Sequence, residues 1–207
     1  MNYELAYRVG FHPWEDLAEH PPFSTKLLEL VAREEEGRVP PFGSALDLGC
    51  GSAVWGVRLA QRGWEVTGVD MVEKALRRAG ERIAEAGVQM RLVHGDVTAL
   101  RESDVGSGFR LLVDTGTFHG LTDAQREAMG REVTAIAASD ATLLLDCFAP
   151  RRRGPLPRGA SRADVQRAFP GWEVTDIEVA DTEPDPLARL FKFEERFYRL
   201  RRDGSTR

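Results

Sequence analysis

The segment ALDLGCGSAVWG, residues 45–56, decides the fold. A short apolar run leads into a turn of small residues, and a pattern of helical period follows directly. Such a strand–turn–helix unit lets the backbone approach a ligand closely and presents free N–H groups at the start of the helix. We therefore expect a ligand to bind at this turn.

The turn fits neither of two common nucleotide-binding motifs. A dinucleotide fingerprint needs G-x-G-x-x-G, but after Gly49 and Gly51 the next glycine is Gly56. A Walker loop needs Gly-Lys-Ser/Thr, and no such triplet follows the turn. Asp47, two positions before the first glycine, would instead suit a ligand with positive charge, such as an ammonium or sulfonium.

Outward from this segment, short apolar runs alternate with segments of helical period, which predicts a parallel sheet covered by helices. The predicted strands are Ala45–Leu48, Glu65–Val69, Met90–Val93, Leu111–Val113 and Thr142–Leu145, and the predicted helices cover residues 24–36, 53–62, 72–86 and 121–138. Beyond them the pattern predicts a loop, a short helix begun by Ser161, and the antiparallel strands Trp172–Val179 and Phe191–Leu200. The fold class is therefore α/β: a Rossmann-like, seven-stranded, mostly parallel sheet with helices on both faces and an antiparallel C-terminal hairpin.

The length of 207 residues fits one domain, because a single core commonly serves ~100–200 residues. We divide it into an N-terminal lid segment and helix over 1–40, a ligand-binding core over 41–150, and a substrate-side loop, helix and hairpin over 151–207.

Charge and composition narrow the class of partner. The 28 basic and 33 acidic residues give a net charge of −5, so nucleic acid and anionic membranes meet no overall attraction. No apolar run approaches the ~18 residues of a membrane span, and no signal sequence starts the chain. Cys50 and Cys147 fit free thiols in a reducing compartment, and the scattered histidines predict no metal site. We expect a cytoplasmic protein without a nucleic-acid or membrane partner, as a monomer or a homodimer.

Acidic residues mark the ends of three further predicted strands. Asp70 ends the second strand, Asp96 follows the third, and Asp114 ends the fourth. Ligands of open α/β sheets bind at the carboxyl ends of the strands, so these side chains and Asp47 are expected to line one cleft. An acid at the position of Asp70 can accept both hydroxyls of a ribose. Each acid taken alone would equally serve as a helix cap or a turn residue.

The turn Asp47-x-Gly49-x-Gly51 resembles the first motif of the class I S-adenosylmethionine (SAM) methyltransferases. Ala53 stands where that family has a third glycine. The resemblance implies that SAM is the cofactor, that S-adenosylhomocysteine (SAH) is the product, and that the turn, including Cys50, contacts the cofactor.

The same resemblance implies roles for acids and their neighbours further along the chain. Asp70 would hold the ribose, and Met71 would pack against the adenine. Asp96 would bind the adenine amino group, with a backbone contact from Val97. Asp114 would begin the family's fourth motif and complete the cofactor cleft.

Residues after the fourth strand face the transferring methyl group in this family. Thr115 and Phe118 are the predicted substrate contacts, and His119 is the candidate catalytic base because its ordinary pKa lies near ~6.5. His119 could instead line the cleft or cap the next helix, and Phe118 could fill the core. The segment lacks the Asn-Pro-Pro-Tyr type motif expected of a DNA adenine methyltransferase.

Aromatic residues near the N-terminus resemble the leader of small-molecule methyltransferases of the thiopurine and tellurite-resistance type. The resemblance implies a lid in which Trp14 contacts the cofactor and Phe11 the substrate. An ordinary hydrophobic contact with the core is the alternative.

The predicted function is SAM-dependent methyl transfer, of the EC 2.1.1 type, to a sulfur, oxygen or nitrogen atom of a small molecule. Six arginines gather beyond the fifth strand, at positions 151, 152, 153, 158, 162 and 167. They leave open an RNA methyltransferase that uses the loop Arg151–Arg167, or a loop that is merely solvated. A SAM-binding protein without catalytic activity is the remaining alternative.

Overall fold

One sheet of seven strands organises the residues that the computed structural model describes, 21–151, 157–179 and 194–204. The strands are β1 (Ser44–Leu48), β2 (Glu65–Asp70), β3 (Met90–His94), β4 (Phe109–Thr115), β5 (Ala137–Phe148), β6 (Trp172–Val179) and β7 (Glu195–Arg202). Their order is β3-β2-β1-β4-β5-β7-β6. β1 to β5 run parallel, whereas β7 pairs antiparallel with both β5 and β6. The predicted Rossmann-like sheet with an antiparallel C-terminal pair is confirmed.

Helices cover both faces of this sheet. The described helices are α1 (Pro21–Glu35), α2 (Val54–Arg62), α3 (Glu73–Ala86), α4 (Asp123–Ile136) and α5 (Arg162–Ala168). α1 and α2 pack on one face, where Leu30 and Trp55 join a core cluster with Val113 and Leu144. α4 and α5 pack on the other face around Leu145. The helix boundaries agree with the predicted ones to within three residues, since amphipathic periodicity marks each buried stripe.

The fifth strand is longer than its apolar run predicts. β5 begins at Ala137 rather than Thr142, because Ala137 pairs with Phe109 of β4 beyond an irregularity in the register. The intervening residues Ser139 and Asp140 are exposed, so no apolar pattern marks them in the sequence. At its other end β5 continues through Phe148, where β7 pairs with it. None of the helices in the described ranges has both the length and the apolarity needed to cross a bilayer.

Candidate active site

Four acids lie along one edge of the sheet, at the ends of four adjacent parallel strands. Asp47 in β1 lies between β2 and β4, Asp70 ends β2, and Asp114 lies near the end of β4. Asp96 follows the end of β3 by two residues. The structure therefore brings the predicted acids to the edge at which open α/β sheets bind ligands.

The glycine turn is shaped by its backbone and by the loop after β4. Gly49 and Gly51 have φ of 68° and 53°, and Ala53 takes the same left-handed region at 58°. A Cβ on Gly49 would lie 2.0 Å from Oγ1 of Thr117. That hydroxyl donates to the carbonyl of Leu48 over 3.3 Å. The first motif and the fourth motif are thus packed directly against each other, and Gly49 has no room for a side chain.

Asp47 supports the start of α2 from below. Its side chain is 1% exposed, and its Oδ2 accepts the N–H of Gly56 over 2.9 Å. Burial, together with the smaller effect of the charges of Asp114 and Asp70, raises the pKa of Asp47 to about 7 against the opposing hydrogen bond. Asp47 is therefore only partly ionised at neutral pH, and a cation bound nearby would favour its ionised form.

Asp70 ties the glycine turn to the second strand. Its Oδ2 accepts the N–H of Gly51 over 2.9 Å, and its Oδ1 accepts the N–H of Val72 over 2.8 Å. The N–H of Cys50 donates to the carbonyl of Val69 over 3.0 Å, so a second hydrogen bond fixes the turn. A carboxylate has about four acceptor positions, so Asp70 keeps capacity for a ligand's hydroxyls.

The surface beside Asp70 has an apolar and a polar part. Met71 is 64% exposed, which is unusual for so large an apolar side chain in this protein. Asp96 is exposed, and its Oδ1 accepts both the N–H and the hydroxyl of Thr98 over 2.8 Å. Val97 is buried in the core, which leaves only its backbone for a ligand contact. The adenine contacts predicted for these three residues stay predictions.

Asp114 is engaged by its own loop. The buried carboxylate accepts the N–H groups of Gly116 over 3.0 Å, Thr117 over 2.8 Å and Phe118 over 3.1 Å. Burial raises the pKa of Asp114 to about 7 despite these hydrogen bonds. The side chain therefore shapes the loop after β4, and its predicted contact with the cofactor stays a prediction.

His119 and Phe118 lie in the short 3-10 turn that follows. Phe118 is fully buried against Phe169, with ring centroids 5.6 Å apart, so it fills the core and is withdrawn from the predicted substrate surface. The ring of His119 stacks on Phe148 at 4.6 Å, and its Nδ1 accepts the N–H of Phe148 over 3.3 Å. In the neutral ring the proton therefore sits on Nε2, which then has no lone pair for removing a proton.

Arg126 is a buried residue that the sequence analysis missed. Its Nε donates to the carbonyl of Phe118 over 3.1 Å, and its Nη2 donates to the carbonyls of His119 over 3.0 Å and Gly159 over 2.7 Å. Burial lowers the pKa of Arg126. The side chain joins the loop after β4 to the segment before α5. An arginine three residues before the buried Met129 of α4 was the signal in the sequence.

Two buried acids at the same sheet edge were missed as well. Asp146 lies in β5 and Glu195 begins β7. The sequence signal for Asp146 is a single acid inside the continuous apolar run LLLDCF. Glu195 has no comparable signal, because charged residues surround it.

Some predicted residues lie outside the described ranges or are already paired. Phe11, Trp14, Arg152 and Arg153 fall outside the described residues. Within them, Arg158 pairs with Asp123 over 2.6 Å, and Arg167 pairs with the helix-capping Asp164 over 3.1 Å. Searching the described ranges for three or more grouped metal-ligand side chains finds none.

Known proteins share both the motif and the fold. A family model described as a methyltransferase domain matches residues 45–140. The 2-heptyl-1-hydroxyquinolin-4(1H)-one methyltransferase of Mycobacteroides abscessus is 32% identical across 86% of this chain and 79% of its own length. Thiopurine S-methyltransferase of Azotobacter vinelandii is 31% identical across 94% of this chain and 93% of its own length. A crystal structure of 1,6-didemethyltoxoflavin-N1-methyltransferase from Burkholderia thailandensis contains 1,6-didemethyltoxoflavin and SAH. It superposes on 97% of this chain and 85% of its own chain, with a TM-score of 0.72 and 21% identity.

The fold and the acid-lined sheet edge define a Rossmann-like methyltransferase domain. The chain belongs to the class I SAM-dependent methyltransferases, as the resemblance of its first motif implies. SAM is the cofactor of that family, and structures of the same fold were solved with SAM or SAH bound.

Proposed function

We propose that the protein, acting in the cytoplasm, transfers the methyl group of SAM to a sulfur, oxygen or nitrogen atom of a small molecule. The observation that carries the proposal is similarity across more than four-fifths of the chain to two enzymes named for small acceptors. One of those acceptors is a hydroxyquinolone and the other a thiopurine, both flat heterocycles. The structure neighbour with bound didemethyltoxoflavin supports the same size of acceptor.

The sheet edge supports a specific arrangement of SAM. Asp70 would bind the ribose hydroxyls with its remaining acceptor positions. The exposed side chain of Met71 would pack on the adenine, and Asp96 and the backbone of Val97 would bind its polar edge. Asp47 would face the sulfonium and ammonium groups of SAM, whose positive charge would favour the ionised form of its carboxyl group.

The chain's contribution to the reaction is alignment and exclusion of water. SAM, when bound, would supply an electrophilic methyl group on a sulfonium, whose S–CH3 bond breaks to leave SAH as the bond to the acceptor atom forms. Thr115, at the end of β4, would face the acceptor, and Phe11 and Trp14 would close over the site. The base role predicted for His119 would require the loss of its contact with the N–H of Phe148.

The pairing of loop arginines supports a small acceptor over RNA. Arg158 and Arg167, two of the described arginines in this region, already pair with Asp123 and Asp164. A side chain held in an internal ion pair contributes less to phosphate binding than a free one.

A methyl-transfer screen tests the proposal. Purified protein and SAM are incubated with 6-mercaptopurine, 2-heptyl-1-hydroxyquinolin-4(1H)-one, a phenol, an aliphatic thiol, tellurite or total RNA, and SAH is measured. We expect SAH to form with at least one small acceptor, in a one-to-one ratio with methylated product. SAH formed only with RNA would favour the RNA methyltransferase. SAH binding without turnover of any acceptor would favour a non-catalytic SAM-binding protein.

A further inference from the structure

A pair of buried carboxyl groups lies beside the site described above. Asp146 is 4% exposed near the end of β5, and Glu195 is 9% exposed at the start of β7. In the antiparallel ladder Asp146 is opposite Phe197, and Glu195 is opposite Phe148. Since side chains alternate between faces, the two carboxyl groups are diagonal neighbours on one face of the sheet.

The pair lies on the side of the site where an acceptor must approach. Asp146 is paired in register with Thr115 of β4, the strand whose following loop holds His119. Phe148, two residues beyond Asp146, carries the stacked ring of His119. The carboxyl pair therefore lies at the ligand-binding edge, next to the loop that faces the transferring methyl group in this family.

One oxygen of Asp146 has no hydrogen-bond partner, which distinguishes this pair from carboxyl groups that stabilise the fold. Within the described part of the chain, Oδ1 of Asp146 is buried and has no hydrogen-bond partner. Buried polar atoms are almost always paired, because leaving one without a partner is unfavourable. Asp146 therefore differs from Asp47 and Asp114, each of which accepts backbone N–H groups. Its oxygen lacks the hydrogen-bond donor that a buried acceptor normally has, and a ligand that reaches the pair could supply one.

The charge of the pair defines which donors suit it. Burial raises the pKa of Asp146 well above its ordinary range, and the neighbouring Glu195 and Asp114 raise it further. Burial likewise raises the pKa of Glu195 to about 7. Two buried carboxyl groups this close avoid double ionisation, so the pair holds at most about one negative charge near neutral pH. A ligand cation or N–H donor beside the pair favours its singly ionised form, whereas a ligand anion there opposes that ionisation.

We propose that Asp146, supported by Glu195, recognises the methyl acceptor by accepting a hydrogen bond from an N–H, O–H or protonated nitrogen of a heterocycle. The inference rests on the proposed function and narrows its substrate class. Acceptors that carry such a donor away from the methylated atom bind, and acceptors that place a carboxylate or phosphate there are excluded. Metalloid anions such as tellurite are therefore excluded.

Calorimetry with two matched probes tests the inference. Protein saturated with SAH is titrated with 4-aminoquinoline, a heterocyclic cation at neutral pH, and with quinoline-4-carboxylate, an anion of similar shape. We expect 4-aminoquinoline to bind at least about tenfold more tightly than the carboxylate. Asp146→Asn should weaken 4-aminoquinoline binding by about tenfold or more, because a charge-assisted hydrogen bond is lost. Glu195→Gln should act in the same direction.

The matched control is Asp140→Asn, which changes an exposed acid on the same strand at the opposite edge of the sheet. It should leave the affinity for 4-aminoquinoline unchanged. Equal binding of the two probes, absence of 4-aminoquinoline binding, or unchanged binding to the Asp146→Asn variant would overturn the inference. SAH is titrated first in every case. If the protein binds SAH but gives any of these results, only the inference is refuted. If the wild-type protein binds no SAH, the proposed function is refuted.

Thermal unfolding separates recognition from a structural role. Because Oδ1 of Asp146 has no partner among the described residues, the Asp146→Asn protein should unfold at the same or a higher temperature than the wild type. A fall of more than about 3 °C, with unchanged probe affinity, would make Asp146 a structural residue instead.

Discussion

Replacing Asp47 with asparagine should reduce the pH dependence of stability while retaining the local structure. The amide oxygen of asparagine can still accept the N–H of Gly56, which Asp47 binds over 2.9 Å. The side chain at position 47, however, no longer titrates. In the wild-type protein burial raises the pKa of Asp47 from 3.8 to about 7. Between these values the native state binds more protons than the unfolded state, so the free energy of unfolding falls as pH rises.

The magnitude follows from the pKa of Asp47. A rise from 3.8 to about 7 corresponds to about 4 kcal/mol over the whole window, and to about 3 kcal/mol between pH 5 and pH 8. The Asp47→Asn protein should therefore lose about 3 kcal/mol less stability than the wild type between these two pH values. Asp114 has the same raised pKa and remains in the variant, so part of the pH dependence persists.

Urea denaturation of the wild type and of Asp47→Asn at pH 5 and pH 8 measures this difference. Any constant effect of the amide cancels, because only the change with pH is compared. Asp140→Asn, at an exposed position, serves as the control and should follow the wild type. A wild-type pH dependence in the Asp47→Asn protein would refute the conclusion that the folded site holds this carboxyl group partly protonated.

Three further substitutions test the turn, the buried arginine and the ribose acid. Gly49→Ala places a Cβ 2.0 Å from a side-chain oxygen, so it should destabilise the protein by more than the ~1–2 kcal/mol of left-handed strain and abolish SAH binding. Gly87→Ala is the control, because Gly87 also has a positive φ but an added Cβ there meets nothing within 4 Å, so it should cost only that strain. Equal losses of stability in urea for the Gly49→Ala and Gly87→Ala proteins would contradict the packing argument. Arg126→Met leaves three buried carbonyls without their donor and should destabilise by about 2–4 kcal/mol, against less than ~1 kcal/mol for Arg158→Met at its exposed ion pair. Asp70→Asn puts an amide N–H against a backbone N–H and should weaken SAH binding by about tenfold or more, and an unchanged calorimetric Kd would remove Asp70 from the cofactor site.

The sheet could be predicted because each parallel strand is a buried apolar run bounded by turn residues. β1, for example, begins one residue before its predicted start and ends where predicted. The start of β5 could not be predicted, because the exposed Ser139 and Asp140 carry no apolar signal and only pairing with β4 makes them a strand. The start of α1 at Pro21 was also missed, although proline is well tolerated in the first turn of a helix.

The positions of the site acids could be predicted, but their hydrogen bonds could not. Strand order and direction alone bring Asp47, Asp70 and Asp114 to one edge. Whether an acid faces a ligand or its own loop depends on tertiary contacts, as the three N–H groups around Asp114 show. The neighbours Asp146 and Glu195 were missed for a related reason: they are 49 residues apart and meet only through the pairing of β5 with β7.

Calorimetric titration of the wild-type protein with SAH tests whether this edge of the sheet is a SAM site. We expect one binding site per chain with an affinity on the order of micromolar, since the glycine turn and the acids beside it form one connected site. SAH should also raise the unfolding temperature, because the ligand binds only the folded state. The absence of both a binding heat and a thermal shift at millimolar SAH would contradict the assignment of this sheet edge as a SAM site.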